Sequence, residues 1–508
     1  MAFAKLSNEL VELVFRHAPD GPSYRSDRST LQALSRVCSR FRPIARRLLF
    51  ARIVVGTPKE GQLLLQTLAR NRDLAACVRS LTIREGAFTR MTTFSDISQD
   101  DLLRLCPNLV HFDSPVSSWN ETADGRAPLP AWTASLTSLR FGRIPEFEFE
   151  SEDDFSDMSA ADRQLLLKIS GVEHFASVWS GGSNSQHLKH LERLELDFVT
   201  VPFEVIDWLT SSCRLVELKI WIVTDPSSGS LEKIVKAQAG SLRSFHFKPV
   251  HRSQAAFLND VLPLLTNLER VTLGNHACDH TVWAKLPRSL THLCVALPNS
   301  HIDARLKLVA DMITKRLRNL QRLELYSHVY FPPPIEVVYP PNESGLAIRE
   351  IRLSHIVTTT EDMSNFFLQL APGLYTLTLH YVRFRAQAPW PQFKSLRRLE
   401  YGKHTITEND EFFHLIKASV HSVRMHVEAG GQVQTLLDAI ERRSSHKLEP
   451  LRTLDNVSGD WASGKLFDQL VSACAKAGTQ LYMNGRTIGT LVGMWTALQS
   501  PMLRAEFV

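Results

Sequence analysis

The feature that most constrains this chain is a pattern of three apolar residues, Leu-x-x-Leu-x-Leu, that recurs from about residue 76 onward. Its last two apolar positions are two residues apart, which is the spacing of a β-strand with one buried face. From Leu194 to Val423 the middle apolar residues lie 22 to 30 residues apart. A recurrence of this length predicts a stack of similar units in place of one large core. The clearest copies begin at Leu191, Leu215, Leu242, Leu268, Leu290, Leu320, Ile348, Leu374 and Leu396.

The segments between these strands are predicted to be helical. Apolar residues recur at three- and four-residue steps at residues 203–213, 253–265, 303–317, 361–370, 409–418 and 432–442. A strand, a helix and a return to the next parallel strand make one right-handed unit. The predicted fold class is therefore α/β, and the period indicates a leucine-rich-repeat solenoid. In such a stack we expect the parallel strands on a concave face and the helices on a convex face.

The first fifty residues follow a different pattern. Two prolines and a glycine between Pro19 and Ser23 interrupt the chain, and helical periodicity appears on either side of that break. A third short helix is expected after Pro43. The apolar residues at helical spacing are Leu6, Leu10, Val14, Leu31, Leu34, Val37 and Phe41. Three short helices in fifty residues predict a small bundle.

The sequence Leu-x-x-Glu-Leu at residues 6–10, followed by Val-Cys-x-x-Phe at residues 37–41, resembles an F-box. Proteins of that family bind a Skp-type adaptor of cullin-RING ubiquitin ligases through three helices. The arrangement of an F-box followed by leucine-rich repeats is similar to that of fungal members, in which the repeats select the protein to be ubiquitylated. The resemblance implies adaptor contacts by Leu6, Leu10, Val14, Leu31, Leu34, Val37 and Phe41. The family's usual proline after the first leucine is Ser7 here, which leaves docking open.

The sequence thus divides into four expected segments. Residues 1–52 form the F-box-like helical domain, residues 53–75 a connecting helical segment, residues 76–485 the irregular solenoid and residues 486–508 a carboxy-terminal cap. Two insertions interrupt the repeats. The one near residues 146–162 is strongly acidic, and the one near 331–345 contains five prolines.

Composition excludes several classes of function. The net charge of +5 over 508 residues is too small to predict nucleic-acid binding, and no apolar run is long enough to predict a membrane span or a signal peptide. No glycine-rich phosphate loop, Gly-x-Ser-x-Gly or His-Glu-x-x-His motif occurs, so we expect neither an enzyme nor a bound cofactor. The cluster His276-Ala277-Cys278-Asp279-His280 lacks a distant fourth ligand, so no metal site is predicted.

Seven cysteines occur without a closely spaced pair, which favours a reduced compartment, cytoplasmic or nuclear.

The strand face offers the candidate partner-binding residues. Side chains that flank the middle and last leucines point away from the core, and they include the aromatic and basic types that dominate interface energetics. The candidates are Lys219, Trp221, His246, Lys248, Tyr326, Arg352 and His380. We therefore expect a substrate-recognition adaptor of an SCF-type (Skp-cullin-F-box) ubiquitin ligase, with an unknown protein substrate. The alternative is a repeat scaffold that binds proteins without joining a ligase.

Overall fold

The computed structural model describes the chain in segments. They are residues 32, 35–36, 39, 41–83, 105–114, 136–141, 190–197, 213–221, 228–249, 255–274, 277, 280–297, 302–327, 348–358, 360–370, 373–384, 393, 395–401, 420–425, 434, 436–438, 440–441, 443, 451–455, 465–483 and 486–487. The chain divides into two compact units, Met1–Asn267 and Leu268–Val508.

The first unit combines parallel strands with helices. Its helices are α1 (Phe41–Ala51), α2 (Pro58–Arg70), α3 (Arg72–Ala75), α4 (Ser228–Ala237) and α5 (Leu258–Val261), the last followed by a short 3-10 helix (Leu262–Leu264). Its strands are β1 (Arg52–Val55), β2 (Ser80–Ile83), β3 (His111–Ser114), β4 (Ser138–Phe141), β5 (Arg193–Asp197), β6 (Glu217–Trp221) and β7 (Ser244–Lys248). All seven strands pair in parallel, each with its neighbour in the chain.

The repeat pattern sets the register of this sheet. The middle leucine positions pair directly, as Leu194 does with Leu218 and Leu218 with Phe245. These three side chains are 0 to 2% exposed. Burying a side chain of this size contributes about 1.5 to 3 kcal/mol. Because each repeat supplies the same set of buried positions, the core is a continuous column and not a central cluster.

The second unit repeats this plan. Its helices are α6 (His280–Trp283), α7 (Ile302–Lys315), α8 (Thr360–Leu370) and α9 (Lys465–Ala477). Its strands are β8 (Arg270–Leu273), β9 (His292–Ala296), β10 (Arg322–Tyr326), β11 (Glu350–Ser354), β12 (Val357–Thr358), β13 (Thr376–His380), β14 (Arg383–Phe384), β15 (Arg398–Tyr401), β16 (Ser422–Met425), β17 (Thr453–Asp455), β18 (Gln480–Met483) and β19 (Arg486–Thr487).

Nine of these strands form one parallel sheet in the order β8-β9-β10-β11-β13-β15-β16-β17-β18, and β19 adds antiparallel to β18. The short strands β12 and β14 pair with each other in a second sheet. Two left-handed residues lead the chain from one sheet to the other. They are His355 and Tyr381, with φ of 55° and 52°, and their rings stack with centroids 4.4 Å apart.

Polar side chains also join consecutive repeats. The asparagine before the first leucine donates its amide to a carbonyl of the preceding repeat, as Asn108 Nδ2 does to Ala76 at 2.8 Å and Asn267 Nδ2 to Gly240 at 3.0 Å. Gln238, only 1% exposed, donates to the Cys213 carbonyl at 3.1 Å and accepts from the Leu215 amide at 2.8 Å. These bonds satisfy backbone groups that the sheet ladder leaves unpaired.

The sequence predicted α7 and α8 to within two residues at each end. The sequence did not predict α4 and α9. It also did not predict β1, because Arg52–Val55 lacks the three-leucine pattern. In the structure β1 pairs with β2 from Arg52↔Ser80 to Val55↔Ile83. The predicted helix at 253–265 is shorter, since Pro263 cannot donate a helical hydrogen bond. Of the predicted helix at 203–213, only Cys213 is among the described residues, and it is not helical; the helix at 409–418 lies outside them.

The connecting segment at 53–75 is helical over α2 and α3. Thr57 caps α2 by accepting from the Glu60 amide at 3.3 Å, while Glu60 Oε2 accepts from the Thr57 amide at 3.2 Å. With Pro58 at the first helical position, this capping box fixes where α2 begins. The division of the chain at residues 52, 75 and 485 stays a prediction, and the proposed cap beyond residue 487 lies outside the described residues.

Candidate functional site

We call the side of each sheet opposite to the buried leucines the strand face. In the first unit this face carries Glu195, Glu217, Lys219 and His246 on adjacent strands. Lys219 Nζ lies 3.1 Å from a carboxylate oxygen of Glu217 and 3.6 Å from one of Glu195. Burial would raise the pKa of Glu217, but Lys219, His246 and Arg193 outweigh it and hold that pKa below its ordinary value. Glu217 is therefore held in its ionised form within a group of mixed charge.

A second set of residues on the strand face of the first unit is mainly basic. The register aligns one residue from each of strands β1 to β5 in a straight line across the sheet. We call this line the basic row, and it consists of Arg52, Ser80, His111, Ser138 and Arg193. Its three basic residues are exposed and its two serines half-buried.

The basic row ends at β6. There, Glu217 follows Arg193 in the register, and its carboxylate lies 3.7 Å from the Arg193 Nε. Burial, Arg193 and Arg52 together lower the pKa of His111 below its ordinary value. Both arginines therefore lie within electrostatic reach of the imidazole.

In the second unit the charges of the strand face are buried against one another. Glu350 is 1% exposed, and its Oε1 lies 2.6 Å from the Arg352 Nε and 3.7 Å from the Arg322 Nε. Arg322 also donates from Nε to Glu324 at 2.6 Å. Burial would lower the pKa of Arg352, but Glu350, Glu324 and Glu400 raise it above its ordinary value. We call this network the charge lattice. It consists of Arg322, Glu324, Glu350 and Arg352, together with Thr378, His380, Glu400 and Arg424 on the next strands.

The charge lattice continues onto the next strands. Glu400 accepts from Arg424 Nη1 at 3.1 Å and from the Thr378 hydroxyl at 3.3 Å. Burial opposes ionisation of Glu400, yet Arg424, Arg398, Arg352 and His380 bring its pKa below the ordinary value. The pKa of His380 is lowered mainly by burial, and Arg352 and Arg424 reinforce that effect against the attraction of Glu400. A neutral imidazole thus lies among paired charges.

The structure places the predicted partner-binding residues in different environments. Lys219, His246 and His380 are half-buried on the strand face. Lys248, Tyr326 and Arg352 were expected to be exposed, but they are only 7%, 4% and 8% exposed. Tyr326 is buried because its hydroxyl donates to the Leu273 carbonyl at 3.2 Å, and Arg352 because the charge lattice surrounds it. The side chain of Trp221 lies outside the described residues, although its backbone belongs to β6. A role for any of the seven in partner binding stays a prediction.

The predicted adaptor-binding residues lie outside the described part of the chain, with one exception. Phe41 begins α1 and is half-buried. Within α1, Ile44 and Ala45 are buried, whereas Arg42, Arg46 and Arg47 are exposed. The helix therefore presents a basic outer surface.

No group of three or more His, Cys, Asp or Glu among the described residues is placed to hold a metal ion, and no helix in that part of the chain is long and apolar enough to cross a membrane. Three cysteines, Cys106, Cys213 and Cys474, are buried, and burial raises the pKa of each thiol to about 12. Protonated thiols of this kind are poor nucleophiles.

A cavity of about 470 Å³ lies between α9 and helical residues near 434–441. Its lining combines Leu437 and Ile440 with Asp468, Ser472 and Lys476. Sequence reasoning missed this cavity because α9 itself was not predicted. Apolar Leu470 and Cys474, four residues apart in the sequence, are the signal that would have indicated the helix.

No family model matches the chain, and no curated protein matches it. Three solved structures show limited likeness. The leucine-rich repeat-containing protein LegL7 from Legionella pneumophila is 13% identical, with 69% of this chain and 92% of that chain covered and a TM-score of 0.29. The structure of the TLR13-ssRNA13 complex is 14% identical, with 82% of this chain and 57% of that chain covered and a TM-score of 0.32. The structure of the Rad7 and Elc1 complex in yeast is 15% identical, with 92% of this chain and 99% of that chain covered and a TM-score of 0.37. At TM-scores this low, the likenesses carry no functional argument.

Proposed function

We propose that the chain is a non-catalytic substrate-recognition adaptor of an SCF-type ubiquitin ligase. The opening helices bind the Skp-type subunit and through it a cullin, and the strand face binds the protein to be ubiquitylated. The observation that carries this proposal is the direct connection of α1 to β1. The F-box-like sequence ends in α1 at Ala51, and β1 begins at Arg52 and pairs with β2. The last helix of the F-box-like segment is therefore joined to the sheet without a linker.

The surface of α1 supports adaptor binding. Its exposed arginines form a basic field with no acidic residue inside the helix. Such a field accelerates association with an acidic partner surface. A reduced compartment, the cytoplasm or the nucleus, is part of the proposal, because a ubiquitin ligase works there and the wide spacing of the cysteines in the sequence favours it. The alternative is a repeat scaffold that is not part of a ligase. Such a scaffold would also bind proteins through the strand face, but it would not bind the Skp-type adaptor.

The test is binding of the full chain to a purified Skp-type subunit. Wild-type protein should bind, and the double change Leu10→Asp with Val14→Asp should abolish binding, because each unpaired carboxylate at an apolar contact costs several kcal/mol. The matched control is Leu63→Asp on α2. Leu63 is 55% exposed and lies outside the F-box-like sequence, so this variant should bind normally.

The melting of the repeats must be equal in all three proteins, so that lost binding reports docking and not unfolding. Wild-type protein that does not bind the Skp-type subunit, while Leu63→Asp and wild type melt alike, would leave the scaffold as the better account. The same measurement decides whether Ser7 is compatible with docking.

A further inference from the structure

One line of side chains on the strand face of the second unit consists of hydrogen-bond donors. The register places one residue from each of the strands β13, β15, β16 and β17 side by side. We call this line the hydroxyl row, and it consists of Thr376, Arg398, Ser422 and Thr453. Thr376 is 5% exposed, and the other three are half-buried. A guanidinium with a hydroxyl group on either side is a set of donors that suits an oxyanion.

Arg398 has no carboxylate of its own in the charge lattice, which pairs three arginines with three glutamates. Arg398 lies two residues before Glu400 and helps to lower the pKa of that carboxyl. Both oxygens of Glu400 are already bonded, however, Oε1 to Arg424 and Oε2 to Thr378. Asp455 lies in the next row, where it follows Arg424 in the register. Among the described side chains, none makes a hydrogen bond or an ion pair with the Arg398 guanidinium, so one positive charge there lacks a direct partner.

The serine beside Arg398 can add a hydrogen bond to the same ligand. Thr453 donates its hydroxyl to Ser422 Oγ at 2.7 Å. Ser422 therefore keeps its own hydroxyl proton for another acceptor. Ser422 is the direct neighbour of Arg398 in the register, and neighbouring strands lie about 4.7 to 4.9 Å apart. One acceptor group can thus contact the guanidinium and the Ser422 hydroxyl at the same time.

The charge and the depth of the row favour a carboxylate on a side chain. A carboxylate carries one negative charge, and its two oxygens match the fork of a guanidinium. A phosphate monoester carries about −1.5 to −2 charges at pH 7, which exceeds the one unpaired positive charge, and Glu400 on the same strand would repel it. A side-chain carboxylate reaches a half-buried guanidinium on one or two methylene groups, whereas the carboxylate of a chain terminus is attached directly to the backbone. An aspartate or glutamate side chain therefore fits best.

We propose that the hydroxyl row binds one aspartate or glutamate side chain of the protein that the strand face recognises. Arg398 holds the carboxylate through its two-pronged guanidinium, and Ser422 donates to one of the carboxylate oxygens. This inference rests on the proposed role of the strand face in partner binding, and it names the chemical group that is recognised there. It does not depend on the Skp-type subunit, since a ligase adaptor and a scaffold would both use the row.

The test measures how fast single arginines of the full chain react with phenylglyoxal, with each modified residue located by mass spectrometry. The probe is aspartate blocked as its N-acetyl amide, which has a side-chain carboxylate and no terminal one. At about 100 mM it should slow the reaction of Arg398 about threefold relative to chloride at equal ionic strength, as expected for a dissociation constant of about 50 mM. Arg318 is the control, because it is exposed and lies outside the row. Its rate should not change, and the neutral asparagine analogue should protect neither arginine.

A pair of serine variants tests the second donor. Ser422→Ala should reduce the threefold protection of Arg398 to below about 1.5-fold, because a hydrogen bond to a charged group is lost. Ser472→Ala is the matched control, since Ser472 is an exposed serine on α9, and this variant should keep the full protection. Full protection in Ser422→Ala would overturn the role given to that hydroxyl.

Other outcomes would overturn the remaining parts of the proposal. An Arg398 that does not react in chloride would show that the row is closed to ligands, and equal protection of Arg318 would show a general effect of the added salt. Stronger protection by the blocked phosphoserine than by the blocked aspartate would overturn the choice of a carboxylate. Stronger protection by N-acetylglycine, which has only a terminal carboxylate, would overturn the choice of a side chain. Normal binding of the Skp-type subunit alongside any of these results would leave the adaptor proposal in place.

Discussion

Single residues in the second unit show charge buried side by side across neighbouring strands. Glu350 lies between Arg322 and Arg352, and Glu400 lies beside Arg424. Removing one member of such a pair leaves an uncompensated buried charge, which costs more than the intact pair contributes. The charge lattice therefore restricts which substitutions the strand face tolerates, whatever that face binds.

His380 predicts how the second unit responds to acid. Its pKa is below the ordinary value of 6.5, chiefly through burial, so the unfolded chain binds a proton before the folded chain does. Stability is therefore full above about pH 6.5 and declines as the pH falls from there through the folded pKa. We expect His380→Gln to flatten this decline below about pH 6.5, measured by amide exchange of strands β11, β13 and β15.

The matched control is His190→Gln, which changes an exposed histidine of the first unit and should leave the slope in the second unit as it is in wild type. A His380→Gln protein with the wild-type slope would show that the imidazole does not couple to folding. Glu400 acts in the same direction at lower pH. Its pKa is also below the ordinary value, so its contribution is present above about pH 4.5 and is lost only below that.

The sequence predicted which side chains lie on the strand face, but it could not have predicted that they pair in a charge lattice. The period places Arg352 and Glu400 on the strand face, but exposure depends on neighbours that the pattern does not name. Arg352 pairs with Glu350, two residues before it on the same strand, and Tyr326 reaches the carbonyl of Leu273, a residue 53 positions earlier in the chain. Periodicity specifies the direction of a side chain, whereas burial also depends on its length and its partners.

At the scale of elements, hydrogen bonds from polar side chains join neighbouring repeats and add to the burial of the leucines. Gln238, at the end of α4, joins the carbonyl of Cys213 and the amide of Leu215, which lead into β6. The sequence alone gave no sign of this bridge, because a single glutamine after a helix is unremarkable in composition. The sequence did predict the buried leucines, because they recur in every repeat, whereas this glutamine occurs once.

Gln238→Leu should destabilise the first unit by about 2 to 4 kcal/mol, because it leaves a buried amide and a buried carbonyl without partners. Urea unfolding followed by amide exchange in β6 and β7 measures the loss. Gln66→Leu on α2 is the control, since Gln66 is exposed and the same change there should cost less than about 0.5 kcal/mol. Equal stability of the two variants would mean that water replaces the bridge.

At the scale of the whole molecule, the described parallel sheet includes β1, which lies where the sequence predicted a connecting helical segment. β1 pairs with β2, and Val55 and Leu68 are 1% and 0% exposed. The three-leucine pattern missed β1 because Arg52–Val55 does not carry it, and the boundary at residue 76 stays a prediction.

A fragment of residues 41–508 should therefore be monomeric and fold cooperatively, while a fragment of residues 70–508 should self-associate. The shorter fragment loses β1 and leaves the backbone groups of β2 at an unpaired edge, where another chain can add. Light scattering after size-exclusion chromatography, with circular dichroism on the same samples, distinguishes the two outcomes. A monomeric 70–508 fragment that melts as the longer one does would show that β1 is dispensable.

The register of the sheet has a consequence for how such a chain diversifies. Leu293, Leu323, Ile351 and Leu377 pair directly in the register although 30, 28 and 26 residues separate them. The strands thus keep their alignment whatever the length of the intervening segment. Insertions and deletions in the connections leave each line of side chains across the sheet intact, so substitution on the strand face and length change in the loops are separate routes of evolutionary change.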